Sequence, residues 1–253
     1  MAVIGGQPAQ SPGPRISVVI PALNEAQNLQ YVLPHIPPTV SEVILVDGHS
    51  TDGTIAVAQR LLSSIRIVKQ KGRGKGNALR AGFAACTGDI IVMLDADGSA
   101  DPGEIPRFVE ALKLGDDFAK GSRFLQGGGS HDITALRWGG NYTLCRLVNI
   151  LFGTRFSDLC YGYNAFWRHC LDCIEIDCDG FEVETLISLR IHKANLKIVE
   201  VPSFEHPRRY GYSNLHTFRD GWRVLRTIIK ELHYPAASYS VARRSSASGE
   251  LVL

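Results

Sequence analysis

The sequence lacks a large net charge, a long apolar run and a complete set of metal-binding cysteines. Its 253 residues include 27 Lys and Arg against 25 Asp and Glu, a formal net charge of +2. A nucleic-acid-binding protein would be expected to carry a strongly basic face, so this near balance argues against that partner. No apolar run reaches the roughly 18 residues that span a bilayer. The sequence therefore predicts a protein without a membrane-spanning helix.

The two chain ends also lack structural signals. Residues 1–14 are rich in Gly, Pro and Gln and contain no apolar signal-peptide core, so we expect a cytoplasmic protein. Residues 234–253 are small and polar, and both ends are predicted to be disordered. Residues 15–233 remain as one predicted domain.

The six cysteines do not form a recognisable metal site. Cys170, Cys173 and Cys178 follow a C-x2-C-x4-C spacing. Zinc sites normally need a second spaced pair of Cys or His residues, which is missing here. Reduced thiols in a cytosolic protein are the favoured interpretation, and a metal role is the alternative.

Strand and helix patterns alternate along the chain. Apolar runs predict strands at 16–20, 42–46, 65–68, 89–94, 118–123 and 196–201. Helices are predicted from near Glu25 with Asn24 as cap, and over 54–62, 76–85, 135–152, 182–192 and about 214–232. This order predicts an α/β fold in a single domain, with a mostly parallel twisted sheet flanked by helices.

The most informative feature is the pair Asp95 and Asp97, directly after the apolar run 90–94. Two carboxylates this close repel each other, and burying them without a counter-charge would be costly. Mg²⁺ and Mn²⁺ prefer one or two carboxylates together with phosphate oxygens. A metal-bound nucleotide-sugar is therefore the leading ligand prediction.

Other polar residues follow the predicted strands. In parallel sheets ligands bind at the carboxyl ends of the strands, so we expect residues 21–25 and Asp47 to lie near Asp95. Asp47 has the alternative of capping a turn. The basic, glycine-rich residues 71–77 precede a helix and could bind an anion or form a flexible loop.

Arginines and glutamates in the second half add further candidates. Arg123 and Arg208 could bind phosphate in a bidentate manner, or could belong to a solvated surface. Glu182 and Glu184 open a predicted helix, where acidic residues also complement the helix dipole.

Together these residues resemble the inverting family 2 glycosyltransferases with a GT-A fold, a Rossmann-like α/β architecture. The resemblance covers about residues 16–232 and is greatest to the dolichyl-phosphate mannosyltransferase and polyprenyl-phosphate glycosyltransferase group. Its motifs include VVIPALNEAQNL (18–29), ILVDGHSTDGT (44–54), GKGNALRAGF (74–83), DIIVMLDADGSADP (89–102), KGSR (120–123), GFEVETL (180–186) and EVPSFEHPRRYGYSNL (200–215).

The resemblance assigns roles to individual residues. It implies that a nucleotide-sugar contacts Pro21, Leu23, Glu25, Leu45, Asp47, Asp95, Ala96, Asp97, Arg123 and Arg208. It implies that Asp95 and Asp97 hold a Mg²⁺ or Mn²⁺ ion. Four departures from the family pattern leave the donor open between GDP-mannose and a UDP-hexose. Leu23 replaces a Tyr, Gly48-His49 replaces Asp-Gly, Ser99 replaces a metal-binding Gln, and Asn214 replaces a Lys.

The implied reaction is metal-dependent hexosyl transfer with inversion to a polyprenyl or dolichyl phosphate. Asp97, Arg123 and Arg208 would stabilise the departing diphosphate, and no general base is needed for an anionic acceptor. A small hydroxylated acceptor is the alternative, and it would need Glu182 or Glu184 as base. A sugar nucleotidyltransferase is less favoured.

A lipid acceptor also implies peripheral contact with a membrane at its cytoplasmic face. The predicted helices over 135–152 and 214–232 are the candidates for this contact, with packing against the domain as the alternative. Association of the chain with further copies of itself is left open.

Overall fold

The computed structural model describes residues 13–234, so the predicted disorder of 1–12 and 235–253 lies outside the described residues. The strands are β1 Ile16–Ala22, β2 Glu42–Asp47, β3 Arg66–Lys69, β4 Ile90–Met93, β5 Phe118–Ser122, β6 Gly129–Ser130, β7 Asn164–Trp167, β8 Ile198–Pro202 and β9 Phe204–Glu205. The α-helices are α1 Thr54–Leu61, α2 Lys75–Ala85, α3 Ile105–Lys113, α4 Ala135–Phe152, α5 Cys170–Cys173, α6 Val183–Lys193 and α7 Thr217–His233.

The main sheet has seven strands in the order β3-β2-β1-β4-β7-β5-β8. All neighbouring pairs are parallel except those of β7, which runs antiparallel to both β4 and β5. The mostly parallel α/β fold predicted from the sequence is thus confirmed. β1 lies between β2 and β4, so the carboxyl ends of these three strands meet at one edge.

The apolar runs are buried on both faces of the sheet. Val18 and Ile20 of β1 belong to one core cluster, together with Phe108 of α3. Val19 lies in a second cluster on the opposite face, where Phe83 of α2 packs. Strands covered on both faces are apolar throughout, which explains why these runs do not alternate with polar residues.

The prediction of a helix beginning near Glu25 was wrong. Two 3₁₀ turns, Leu29–Tyr31 and Leu33–His35, occupy this segment instead. Pro34 lacks the amide hydrogen that a continuing α-helix would need. Asn24 has a φ of 57° and accepts a hydrogen bond from the Thr51 amide at 2.8 Å, so it joins two loops and caps no helix.

The second half departs more from the expectation. Strand β7 and helix α3 were not predicted, whereas α4 has the predicted bounds. In the part of the chain from residue 13 to residue 234, none of the helices has the length and apolar character needed to cross a membrane.

We expect Gly82→Ala to destabilise the fold, although alanine favours helices. A Cβ at position 82 would lie 2.4 Å from Val19 Cγ1 and 2.9 Å from Val46 Cγ2, both on the sheet beneath α2. Overpacking of this kind costs about 1–3 kcal/mol. Gly139→Ala on α4 is the matched control, because a Cβ there meets no atom within 4 Å. Urea denaturation should show a loss for Gly82→Ala and a gain or no change for Gly139→Ala; equal effects would contradict the packing.

Candidate functional site

A cleft at the carboxyl ends of β1, β2 and β4 divides into two lobes. We call the first the strand-end lobe; among its lining residues are Pro21, Leu23, Glu25, Gly48, Gln70 and Ala96. We call the second the helical lobe, because α4 and α7 form part of its wall; its lining includes Arg123, Arg137, Asn141, Tyr161, Glu184 and Val224. Both lobes share Lys75, Asp95, Asp97, Phe181, Arg208 and Ser213.

Most of the predicted nucleotide-site residues line this cleft, but two do not. Leu45 is completely buried in the core beneath the cleft. Asp47 is buried at the end of β2, and its carboxylate accepts the His49 amide at 3.2 Å and the Ser50 amide at 3.3 Å. These bonds match the turn-capping alternative, and the contact of Asp47 with a nucleotide stays a prediction.

Lys75, the first residue of α2, lies at the boundary between the lobes and bridges two carboxylates. Its Nζ is 2.6 Å from Asp95 Oδ1 and 2.7 Å from Glu184 Oε1. Burial alone would lower the pKa of Lys75, but the two carboxylates outweigh burial and raise it above its ordinary value. Burial raises the pKa of Glu184, and Lys75 opposes that shift. Lys75 is therefore a permanent positive charge between two acids.

Gly162 provides the space in which these three charges meet. A Cβ at this position would lie 2.7 Å from Lys75 Nζ, 3.0 Å from Asp95 Oδ2 and 3.2 Å from Glu184 Oε1. A larger residue would therefore push the ion pairs apart. The chain passes close to the lysine here only because position 162 has no side chain.

Asp97 and Arg208 form a second charged group at the boundary. Arg208 Nη2 is 2.5 Å from Glu25 Oε1, and its Nη1 is 3.4 Å from Asp97 Oδ2. The Ser99 amide donates to Asp97 Oδ1 at 3.0 Å. Burial, and then the negative charge of Asp95, raise the pKa of Asp97, while Ser99 and Arg208 oppose the shift. Asp97 therefore lies in an environment short of positive charge.

Tyr210, two residues after Arg208, packs against Asn28 and Tyr31 and so holds this segment beside the strand-end lobe. Asn28 Oδ1 accepts the Tyr210 amide at 2.9 Å, and the rings of Tyr31 and Tyr210 stack with centroids 6.0 Å apart. These contacts place the guanidinium over the cleft, as its predicted role requires.

Arg123 reaches the helical lobe but is already engaged by two acids. Its Nε is 2.7 Å from Asp158 Oδ2, and its Nη1 is 3.0 Å from Glu205 Oε2. Burial would lower the pKa of Arg123, yet these carboxylates raise it. The structure brings the residue to the cleft in a paired state, and its contact with phosphate stays a prediction.

Glu182, which directly precedes α6, and Glu184 in the first turn of α6 lie in different surroundings. Glu184 lines the helical lobe, whereas Glu182 is absent from the wall of either lobe. Glu182 Oε1 accepts the Gly180 amide at 3.2 Å, and its Oε2 is buried without a partner among residues 13–234. Of the two base candidates, the geometry thus favours Glu184 over Glu182.

Two amides of the glycine-rich segment 71–77 already have a backbone acceptor. The amides of Gly76 and Asn77 donate to Asp179 O at 2.9 and 3.4 Å. A Cβ at Gly74 would lie 2.2 Å from that same carbonyl oxygen. The glycines serve a close approach of two backbone segments, and anion binding by residues 71–77 stays a prediction.

The cysteines of the C-x2-C-x4-C spacing act as structural thiols. Cys170 Sγ donates to Asp117 O at 3.4 Å, and Cys173 Sγ donates to His169 O at 3.6 Å. Burial raises the pKa of all three thiols in this spacing. Protonated donors of this kind are poor zinc ligands.

The lobe boundary fits a divalent cation with few protein ligands. Four carboxylates, those of Glu25, Asp95, Asp97 and Glu184, face two cations, which leaves a formal excess of two negative charges. Within residues 13–234 no three His, Cys, Asp or Glu side chains are arranged to hold a metal ion. Mg²⁺ and Mn²⁺ often bind through one or two carboxylates plus phosphate oxygens, which matches Asp95 and Asp97.

Several cleft residues were not predicted from the sequence. The sequence indicates Lys75 only as part of a basic loop, and Arg137 and Asn141 only as part of a helix. Their partners lie far along the chain: Lys75 pairs with Glu184, 109 positions later. No local pattern could have indicated such a pair.

Comparison with known proteins identifies the family. The sequence profile of Glycosyl transferase family 2 matches residues 17–174. Glycosyltransferase AglJ of Haloferax volcanii is 30% identical over 81% of this chain and 68% of its own length. A dolichol-phosphate mannosyltransferase of Pyrococcus furiosus is 30% identical over 79% of this chain, which spans only 59% of that relative. A polyprenol monophosphomannose synthase of Mycolicibacterium smegmatis is 31% identical over 81% of this chain and 82% of its own length.

Solved structures agree on the fold. Glucosyl-3-phosphoglycerate synthase of Mycobacterium tuberculosis, in complex with Mn²⁺, UDP-glucose and phosphoglyceric acid, is 25% identical with a TM-score of 0.67. The match covers 88% of this chain and 81% of that one. The GT-A fold and the predicted family are thus confirmed, and divalent metal ions accompany the fold in these neighbours.

We expect Lys75→Met to destabilise the protein strongly. It would leave Glu184 buried and without its counter-charge, a change that costs about 3–5 kcal/mol when one partner of a buried pair is removed. Urea denaturation measures the loss. Replacing Glu184 as well, with Leu, should restore part of the stability. Lys71→Met, an exposed lysine of the same loop, is the control; similar losses in both single variants would contradict the central position of Lys75.

Proposed function

Since the chain belongs to Glycosyl transferase family 2, we propose that it transfers a hexose from a nucleotide-sugar to a polyprenyl or dolichyl phosphate. The donor is GDP-mannose or a UDP-hexose, and the transfer is metal-dependent and inverts the anomeric carbon. The observation that carries this proposal is the pair of lobes that meet at Asp95 and Asp97. A donor in one lobe and an acceptor in the other would bring the reacting atoms together at that boundary.

The strand-end lobe suits the nucleotide. Leu23 is 41% exposed on its wall, where an apolar side chain can pack on the flat face of a base. Gly48 and Gln70 line the same wall. The lobe runs from these residues to Asp97, so the diphosphate would lie at the boundary.

The acids at the boundary would hold the metal ion. Asp97, with Asp95 beside it, would bind Mg²⁺ or Mn²⁺, which when bound supplies positive charge that stabilises a departing diphosphate. Arg208 lies over the same point and adds fixed positive charge there. Lys75 Nζ lies 2.6 Å from Asp95, whereas Arg208 lies 3.4 Å from Asp97, so Asp97 has the longer ion pair of the two carboxylates.

The helical lobe suits a phosphate attached to an apolar chain. Its lining combines the apolar Ile133, Leu136, Leu144 and Leu215 with Arg137. Arg137 has one acidic partner, Asp132, at 3.6 Å, whereas Arg123 and Arg208 each contact two acids at the cleft. Arg137 is therefore the cation best able to turn toward an acceptor phosphate.

A phosphate acceptor also agrees with the state of Glu184. The oxygen of a phosphate is already anionic and needs no general base to attack the anomeric carbon. A base must accept a proton from the acceptor hydroxyl, but Oε1 of Glu184 is already held by Lys75 Nζ at 2.7 Å. A small hydroxylated acceptor is the second candidate, favoured by the similarity to a synthase crystallised with phosphoglyceric acid.

The lipid acceptor would require contact with a membrane, at its cytoplasmic face. Helix α7 carries an exposed apolar stripe formed by Phe218, Trp222, Ile229 and Leu232. Next to it on α7 lies a stripe of exposed basic residues, Arg219, Arg223, Arg226 and Lys230. This pairing of stripes is typical of helices that lie in an anionic membrane surface.

We expect Asp97→Asn to lower the rate of transfer to polyprenyl phosphate by roughly 10²-fold or more, because a bound metal ion contributes several kcal/mol to such a step. The assay measures labelled sugar extracted into butanol from a panel of GDP- and UDP-sugars with Mn²⁺. Asp101→Asn is the control, since the Asp101 side chain caps a 3₁₀ turn through the Gly103 amide and lines neither lobe. Absence of glycolipid with every donor in the unaltered protein would overturn the proposed function.

We expect Phe218→Ser/Trp222→Ser to weaken sedimentation with phosphatidylglycerol vesicles, because both side chains are more than 60% exposed and apolar. Leu114→Ser, an exposed leucine at the end of α3, is the matched control. Binding of the unaltered protein should fall with added salt, since the basic stripe acts through screened charges. Equal binding of both variants would contradict this face as the membrane contact.

A further inference from the structure

Two glycines in the lining of the helical lobe have free space beside them. Gly140 lies within α4 and Gly221 within α7, and both line this lobe. A Cβ at either position would meet no atom within 4 Å. Neither glycine is needed for close packing, unlike Gly82 or Gly162. Because glycine disfavours a helix, its presence at both positions calls for another reason, and free space beside the cleft is one.

Apolar side chains lie near both glycines, alongside charged residues such as Arg137 and Asp220. Leu136 and Leu144 of α4 and Val224 of α7 line the lobe itself. Phe218 and Trp222, which flank Gly221 along α7, are 82% and 66% exposed. Apolar side chains therefore lie both inside the lobe and on the exposed stripe of α7 next to Gly221.

The inner end of the lobe carries an unsatisfied polar group. Asn141 is 4% exposed, and its Oδ1 accepts the Leu159 amide at 3.1 Å and the Cys160 amide at 3.2 Å. These two donors fix the orientation of the side-chain amide. Its Nδ2 is left buried with no partner in residues 13–234. A buried donor without an acceptor is costly, and an oxygen of a bound ligand would satisfy it.

We propose that the isoprenoid chain of the acceptor leaves the helical lobe through the gap beside Gly140 and Gly221, with its phosphate toward Asn141. This rests on the proposed function, since it assumes a lipid phosphate acceptor. The polar group lies inside, the apolar surface leads outward, and the two glycines keep the passage free. Positions 140 and 221 then determine which chain lengths the enzyme accepts.

The test fills the passage by Gly140→Leu and, separately, by Gly221→Leu. We expect KM for a long-chain polyprenyl phosphate to rise about tenfold or more, the scale on which a filled apolar pocket discriminates. A two-isoprene phosphate should be affected less. The melting-temperature shift caused by nucleotide-sugar with Mn²⁺ should not change. Gly140→Ala and Gly221→Ala should give smaller effects in the same order.

Gly139→Leu is the matched control. This glycine is the neighbour of Gly140 on α4, it also has no atom within 4 Å of a built Cβ, and it is absent from the lining of the lobe. Leucine favours helices over glycine, so circular dichroism should show all three variants folded.

The outcomes separate the two proposals. If the unaltered protein glycosylates no polyprenyl phosphate, the proposed function fails. If it does, but the leucine variants at 140 and 221 keep the chain-length preference of Gly139→Leu, the passage is overturned.

Discussion

The bridge from Lys75 to Asp95 and Glu184 is the interaction on which the rest of the site depends. It joins the start of α2, the end of β4 and the first turn of α6 at one buried point. Charges can be buried only when they are paired, so the bridge fixes how these three elements meet. A side chain at position 162 would collide with this bridge, because Lys75 Nζ fills the space beside Gly162. The same lysine lines both lobes. Its ion pair with Asp95, at 2.6 Å, is shorter than that of Arg208 with Asp97, at 3.4 Å.

The distribution of charge around this bridge gives each lobe a different chemistry. The boundary carries a formal excess of negative charge, which suits a divalent cation and a diphosphate brought with it. The helical lobe combines apolar side chains of α4 and α7 with charged groups, among them Arg137 and Asp220. In a family of glycosyltransferases this arrangement supports an acceptor with a charged head and an apolar chain. The exposed stripes of α7 continue the apolar surface outward, toward the place where such a lipid would lie.

Local patterns predicted the features that depend on neighbouring residues. The runs of β1, β2 and β4 are apolar because both faces of the sheet are covered, and Asp95 and Asp97 follow directly. Features set by distant pairs could not be predicted. Arg123 pairs with Asp158 and Glu205, which are 35 and 82 positions away. The glycine-rich loop resembles an anion site in sequence, yet two of its amides, those of Gly76 and Asn77, donate to Asp179 O. Leu45 is in the core because β2 is covered on both faces.

The most direct test of the two-lobe assignment is a crystal structure with Mn²⁺ and a nucleoside diphosphate. We expect an anomalous manganese peak beside the Asp97 carboxylate, with the nucleotide in the strand-end lobe near Leu23 and Gln70. Lys75 should remain between Asp95 and Glu184. A nucleotide bound in the helical lobe, or manganese bound to Glu184 with Lys75 displaced, would contradict the assignment.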